Sequence, residues 1–274
     1  MLDKVASSSE TLDHVPDSTF KVEFFEKLFN LESNSFWFRG RNKIIIWALK
    51  KYFFSVATLL EVGCGTGFVI QAIGRSNPHL KLYGSELFSE GLHFAKLRSP
   101  TVEFMQLDAR ALPFRDSFDV IGCFDVLEHI DADELVLEEF YRTCRQGIIL
   151  TVPQHQFLWS AMDEVACHKR RYSAIELKRK VEKAGFKVIR QTSFISFLLP
   201  LMMLTRKKLK TEEQVDYSEF EIPKPIDLIL EFIVDLEKLL IMLGVNFPMG
   251  GSLILIATKP GKDSSYSTRA QRLG

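Results

Sequence analysis

The run at 59–68, LLEVGCGTGF, sets Gly63, Gly65 and Gly67 at alternate positions directly after an apolar stretch. Glycines spaced this way let backbone approach a ligand closely, and a helix starting just beyond them turns its N-terminus toward that ligand. Two further apolar runs end at Glu86 and at Asp108-Ala109, and a third leads into CFDVLEH, residues 123–129. A carboxylate at position 86 can accept both hydroxyls of a ribose, and one at 108 can accept an exocyclic adenine amine. Together these residues describe an adenosine site, although the glycine loop by itself is shared by several nucleotide-binding families. Glu61 is either a site residue or a group that orients the loop.

Such a site requires elements that bring distant residues to one edge. Short apolar runs at 56–62, 80–85, 102–107, 118–124, 147–152, 186–191 and 252–258 read as strands. Helical patterns fall between them, through about residue 75 and at 89–98, 131–144 and 175–184. Alternating strands and helices imply a doubly wound α/β fold with a mainly parallel sheet, which binds ligands at the carboxyl ends of its strands. Residues 1–55 read as an N-terminal helical cap segment, 56–259 as the main domain and 260–274 as a polar tail. A helical insertion at about 194–248 carries an apolar run, a charged linker at 206–221 and a helix at 226–243. In that helix Asp227, Glu231, Asp235 and Lys238 form one narrow polar stripe on an otherwise apolar cylinder.

The 274 residues carry 35 basic and 35 acidic side chains, a formal charge of zero. No broad basic surface is available to concentrate nucleic acid or an anionic membrane. Cys64, Cys123, Cys144 and Cys167 show no C-x-x-C spacing, and residues 1–19 lack the apolar core of a signal peptide, so a cytoplasmic location is expected. The uncharged stretch 239–258 is long enough to span a bilayer but is broken by Gly244, Asn246, Pro248, Gly250 and Gly251, which favours a helix, a turn and a final strand.

The ordered motifs EVGCGTG (61–67), LDA (107–109), LPF (112–114), FDV (124–126) and LEH (127–129) resemble the class I S-adenosylmethionine-dependent methyltransferases, over residues 56–192 and the last strand. The resemblance implies a seven-stranded sheet whose last strand is antiparallel, with S-adenosyl-L-methionine as cofactor and S-adenosyl-L-homocysteine as product. It places the methionine moiety over Gly63, Cys64, Gly65 and Gly67, ribose at Glu86, and adenine around Leu87, Asp108 and Ala109, with Glu61, Phe124, Asp125 and Val126 also at the cofactor. His129 then lies near the methyl donor, either as a base or as a hydrogen-bonding residue at the next helix start. The segment PQHQFLWSAMD (153–163), the following HKRRY (168–172) and the N-terminal FWFRGR (36–41) resemble a subgroup of the same family. Trp37, Arg39 and Arg41 are expected to help close the cofactor site, and His155, Asp163, His168, Arg171 and Tyr172 to shape the acceptor site. No strong zinc signature is present, and no required metal is expected.

No N-P-P-[YFW] follows the fourth strand and no Pro-Cys nucleophile is present, which leaves a small-molecule or a lipid- or glycan-linked acceptor methylated on oxygen or nitrogen. The apolar insertion would form a lid, a homodimer interface or a peripheral membrane contact. The acidic stripe ranks the membrane last, because it opposes attraction to anionic lipids. Two rivals remain: a noncatalytic S-adenosylmethionine-binding protein that uses the insertion to recruit a partner, and a nicotinamide-dependent oxidoreductase. Against the latter, Phe68 follows Gly67 and stands at the sixth position, where the dinucleotide fingerprint G-x-G-x-x-G carries its last glycine.

Overall fold

Seven strands pair into one sheet in the computed structural model, which describes residues 23–206 and 222–261. The linker at 207–221 and nearly all of the C-terminal tail lie outside the described residues, as do positions 1–22. In chain order the sheet contains β1 (Thr58–Val62), β2 (Lys81–Glu86), β3 (Glu103–Gln106), β4 (Phe118–Phe124), β5 (Cys144–Pro153), β6 (Lys187–Phe194) and β7 (Ser252–Thr258). The order across the sheet is β3-β2-β1-β4-β5-β7-β6; β7 runs antiparallel to both neighbours and the other pairings are parallel. The order reverses between β1 and β4, so a crevice opens where the loops after these strands diverge.

Helices cover both faces: α1 (Glu23–Leu31), α2 (Phe36–Tyr52), α3 (Phe68–Ser76), α4 (Ser89–Arg98), α5 (Asp133–Thr143), α6 (Ala161–Val165), α7 (Ala174–Lys183), α8 (Leu199–Arg206) and α9 (Lys224–Met242). The central strands are buried on both sides, which explains their continuous apolar runs. One apolar core joins α2, α3 and α9 to the sheet through Ile44, Ile70 and Val234, while the other joins α5 and α7 through Phe140 and Leu177.

The α2–α9 contact changes how the polar stripe is read. Arg39 bonds Asp227 at 2.5 Å and Glu231 at 2.6 Å, while Lys43 bonds Glu231 at 2.8 Å and Asp235 at 2.6 Å. Asp227 also accepts the Phe36 backbone N–H at 2.6 Å. The stripe therefore faces the protein, and the apolar side of α9 faces outward, with Phe232 70% and Ile229 60% exposed. This corrects two expectations. Arg39 braces α9 instead of reaching the cofactor crevice, and the stripe's carboxylates are neutralised internally, so they no longer argue against a lipid surface.

Candidate active site

The glycine loop is built by backbone geometry that only glycine adopts without strain. Gly63, Gly65 and Gly67 all have positive φ, and a Cβ on Gly63 would stand 2.4 Å from a Val126 methyl. The N–H groups of Gly63 and Cys64 bond the Ser85 carbonyl, and the Gly65 N–H donates to Glu86 at 2.9 Å. The other Glu86 oxygen accepts from Leu87 and Phe88. Burial raises the Glu86 carboxyl above its ordinary pKa, against these backbone donors.

A cleft of about 830 Å³ opens over this loop, and its lining brings together residues from most of the strand ends. Trp37, Arg41, Glu61, Gly63, Cys64, Gly65, Glu86, Leu87, Asp108, Ala109, Phe124, Asp125 and Val126 line it, as do His129, Asp163, His168 and Arg171. Arg41 reaches from α2 to Asp125 at 2.6 Å and lies over the Trp37 ring, so the N-terminal helices and the loop after β4 are tied across the cleft. Gly67, Arg39, His155 and Tyr172 do not line it. Gly67 instead packs under the loop, where a Cβ would meet the Ala95 backbone at 2.9 Å.

Several anticipated side chains are already committed within the protein. Asp108 is gripped by Arg110 through both carboxylate oxygens; burial alone would raise its pKa, but Arg110 holds it below the ordinary value. Tyr172 is fully buried, donating to Asp133 at 2.6 Å and to the Leu127 carbonyl at 3.2 Å, so it anchors the loop below the site instead of touching an acceptor. His155 sits at positive φ and stacks on Phe157, outside the cleft.

Asp163 is the hub of the far end. It accepts from the Ser160 N–H at 2.8 Å as part of a capping box on α6, from His168 Nδ1 at 2.8 Å, and from Arg171 Nε at 2.7 Å. Burial would raise its carboxyl, yet His168 and Arg171 hold it well below the usual range. An ionised Asp163 fixes the proton of His168 on Nδ1 and leaves Nε2 as the acceptor nitrogen, 4.0 Å from Glu128. His129 lies edge-on to His168, with ring centroids 4.7 Å apart. Burial, with His168 beside it, pushes the His129 imidazole down to about 3, too weakly basic to take a proton efficiently near neutrality.

Three further residues, one of them inside a quoted motif, were missed in sequence. Glu128 is wholly buried, lines the cleft, and among the described residues has no hydrogen-bond partner for either carboxylate oxygen. Burial, then the charge on Asp125, pushes its carboxyl well above the ordinary range. It stood directly before His129 in LEH, and side-chain burial alone distinguishes the two. Glu32 and Arg98 pair at 2.6 Å and both bond Thr66 of the glycine loop, so they clamp the turn that follows α1 onto it. Nothing in their spacing pointed there. Among the described residues, the buried Glu61 has an unpartnered Oε2 and Asp125 an unpartnered Oδ1, and both residues line the cleft beside the loop. Among the described residues, Glu128, His129 and His168 bring ligand atoms within 4.8 Å of one another, close enough to hold a metal ion.

The seven-stranded order with one antiparallel strand and the glycine-lined cleft at the reversal point are those of the class I S-adenosylmethionine-dependent methyltransferase fold. Residues 60–152 match the family model described as "Methyltransferase domain". The chain is similar to a ubiquinone biosynthesis O-methyltransferase of Paraburkholderia xenovorans, 31% identical over 30% of this chain and 37% of that enzyme. It also resembles a probable S-adenosylmethionine-dependent methyltransferase of Mycolicibacterium smegmatis, 26% identical over 58% of this chain and 62% of that protein. The matches thus span less than two thirds of these curated relatives. The fold is similar to the methyltransferase bound to the Trm112 methyltransferase activator of Haloferax volcanii, with TM-score 0.55, 16% identity, and coverage of 88% of this chain and 95% of that one. Among the described residues no helix is long and apolar enough to cross a membrane.

Proposed function

We propose that the protein transfers a methyl group from S-adenosylmethionine to an oxygen or nitrogen of an acceptor with an apolar portion, oxygen being preferred. One observation carries the reading: a single cleft runs from the glycine loop and Glu86, past Asp125, to the Asp163–His168 pair and an apolar wall of Ile195, Leu198, Leu201, Met202, Ile222 and Leu230. The residues present fit the cofactor. A Cβ on Gly65 would meet nothing within 4 Å, so the loop backbone is open to the cleft, and Glu61 and Asp125, which line the same cleft, carry carboxylate oxygens unpartnered among the described residues, suited to an ammonium group. Glu86 has lone pairs left for ribose hydroxyls beyond its backbone donors. When bound, the sulfonium supplies an electrophilic methyl group.

The chain's own part is positioning and proton removal. Trp37 and Arg41 cover one side of the cleft and limit water. Asp163 and Arg171 hold His168 with Nε2 available to take the acceptor's proton, which assigns the base role to His168 in place of His129. Asp163 is a positioning residue, because its oxygens are engaged by Ser160, His168 and Arg171. The ubiquinone biosynthesis enzymes among the relatives, O-methyltransferases by name, support the preference for oxygen.

The test is calorimetric titration of the purified chain with S-adenosylmethionine and S-adenosylhomocysteine beside a Glu86→Ala variant. Binding that weakens by about 10- to 100-fold in the variant is expected, from a charged hydrogen bond of about 1.5–3 kcal/mol. No binding of either ligand to the wild-type protein removes the reading.

A further inference from the structure

We propose that the outward faces of α8 and α9 seat the protein on the surface of a lipid bilayer and open the cleft toward it, so that an acceptor with an apolar tail enters from the membrane. The seating stands on the surface itself, whereas the delivery of an acceptor rests on the methyl-transfer reading above.

Most surface helices turn their apolar stripe inward and their charges to water. α9 does the reverse along its outer side. Asp227, Glu231 and Asp235 are bound to Arg39 and Lys43, and Glu237 is buried and accepts the backbone N–H groups of Ser196 and Phe197 at 2.7 and 2.9 Å. What remains outside is Ile226, Leu228, Ile229, Phe232, Leu236 and Leu239, each 45% exposed or more. Beyond Lys224 at its first turn, the most exposed charges of α9 are Asp235 and Lys238, which pair with each other and, through Asp235, with Lys43.

The concentration is what separates this face from scattered surface apolar residues. Among the described residues, fourteen of the twenty exposed large hydrophobic side chains lie between Phe197 and Met249. At about half exposure each, they offer roughly 1,000 Å² of apolar surface in total, with the six named on α9 sharing its outer side. A 19-residue helix of about 28 Å lying in the plane of a membrane presents such a stripe to the headgroup boundary.

The occupant is argued from where the ridge leads. Leu201 is at once 48% exposed on the ridge and part of the cleft wall, with Leu198, Met202, Ile222 and Leu230 behind it. The outer apolar surface therefore runs into the apolar end of the cleft without a polar rim at Leu201. A second copy on this face would cap that entrance, whereas a bilayer would feed it. Charge contributes little. Arg206 ends α8 and Lys207, Lys208 and Lys210 follow it in sequence, but Glu212, Glu213, Asp216, Glu219 and Glu221 come next, so the seating is apolar in origin.

The experiment is flotation of the full chain with vesicles of phosphatidylcholine, alone or mixed with phosphatidylglycerol, beside a triple variant Ile229→Ser, Phe232→Ser, Leu236→Ser. None of these three side chains lines the cleft, so S-adenosylmethionine titration reports whether the variant keeps its fold. Wild-type protein is expected to float with both vesicle types and to resist added salt. The triple variant is expected to lose about tenfold or more, since binding scales with inserted apolar area, while its cofactor affinity is unchanged. Wild-type protein that stays off both vesicle types, or a variant that floats equally well, overturns the proposal. Flotation confined to phosphatidylglycerol and reversed by salt overturns it too, because charge would then be the cause. A dimer by light scattering that the triple variant abolishes, with no flotation, assigns the face to a second copy instead. Failure of cofactor binding with flotation intact removes the methyl-transfer reading and leaves the seating in place.

Discussion

Replacing Arg39 with Met separates a brace from a cofactor contact. Met keeps an apolar stem but removes the guanidinium that bonds Asp227 and Glu231. Glu231 retains Lys43, at 2.8 Å. Asp227, only 3% exposed, retains the Phe36 N–H alone, with one oxygen and a full charge uncompensated. Stranding a charge in a fully buried pair costs about 3–5 kcal/mol and losing an exposed pair about 0–1, so Arg39, at 24% exposure, falls between at about 2–3 kcal/mol. For a chain of this length that is a fall in Tm of about 5 °C. Asp227→Asn added to Arg39→Met should restore about 1–2 kcal/mol, because the stranded charge is gone. Thermal and urea unfolding measure the stability, and calorimetry the cofactor affinity, which should change by less than about threefold. A variant as stable as wild type that no longer binds S-adenosylmethionine would refute the reasoning and return Arg39 to the cofactor site.

The remaining predictions concern the loop, the base and acid stability. Gly63→Ala should abolish detectable cofactor binding in calorimetry and destabilise the fold by about 1–3 kcal/mol through overpacking against Val126; Val126→Ala should recover only the steric part, because φ stays at +72°. His168→Ala should lower kcat by about 10²–10⁴-fold, with S-adenosylmethionine affinity preserved, and His129→Ala should cost less; equal losses in steady-state assays would count against the assignment of the base. Burial alone would raise the Asp133 pKa, but Lys180 and Tyr172 hold it below the ordinary carboxylate value, so its contribution is complete above about pH 4 and is lost as pH falls through the depressed value. Asp133→Asn should therefore lower stability at neutral pH and flatten the acid limb of a Tm-against-pH curve; an unchanged limb would mean other carboxylates dominate it.

What the sequence made legible was local. The glycine loop, Glu86 and Asp108 could be placed because each follows directly from a strand whose apolar run was visible, and α4, β4 and β7 occupy the expected residues. Strand ends were less legible where tertiary pairing extends them. β5 begins at Cys144, ahead of the predicted start at 147, because the register with β4 shifts between Phe118 and Val120. β6 runs on to Phe194 along β7, past the predicted end at 191 and into the start of the apolar insertion. The partners of single charged groups were not legible at all. Asp108 and Arg110 are two residues apart and their pairing has a local cause, but Arg39 and Asp227 lie 188 apart, and no spacing rule joins them.

The inner face of α9 illustrates why a correct pattern can give the wrong conclusion. Periodicity fixes which residues share a side of a helix, and the stripe of Asp227, Glu231, Asp235 and Lys238 is real. Periodicity says nothing about which side meets water. That depends on whether the rest of the fold offers counter-charges, and here α2 carries Arg39 and Lys43 at the spacing of one helical turn, in register with the carboxylates opposite. Once the acids are paired inward, leaving the apolar side in water carries a continuing cost, roughly 25 cal/mol for each Å² left uncovered. A helix held by four ion pairs to α2 cannot rotate to relieve that cost without breaking them. The ion pairs thus fix the apolar side outward beside the cleft mouth, and the surface chemistry of the protein at that edge is set by two basic residues on a different helix.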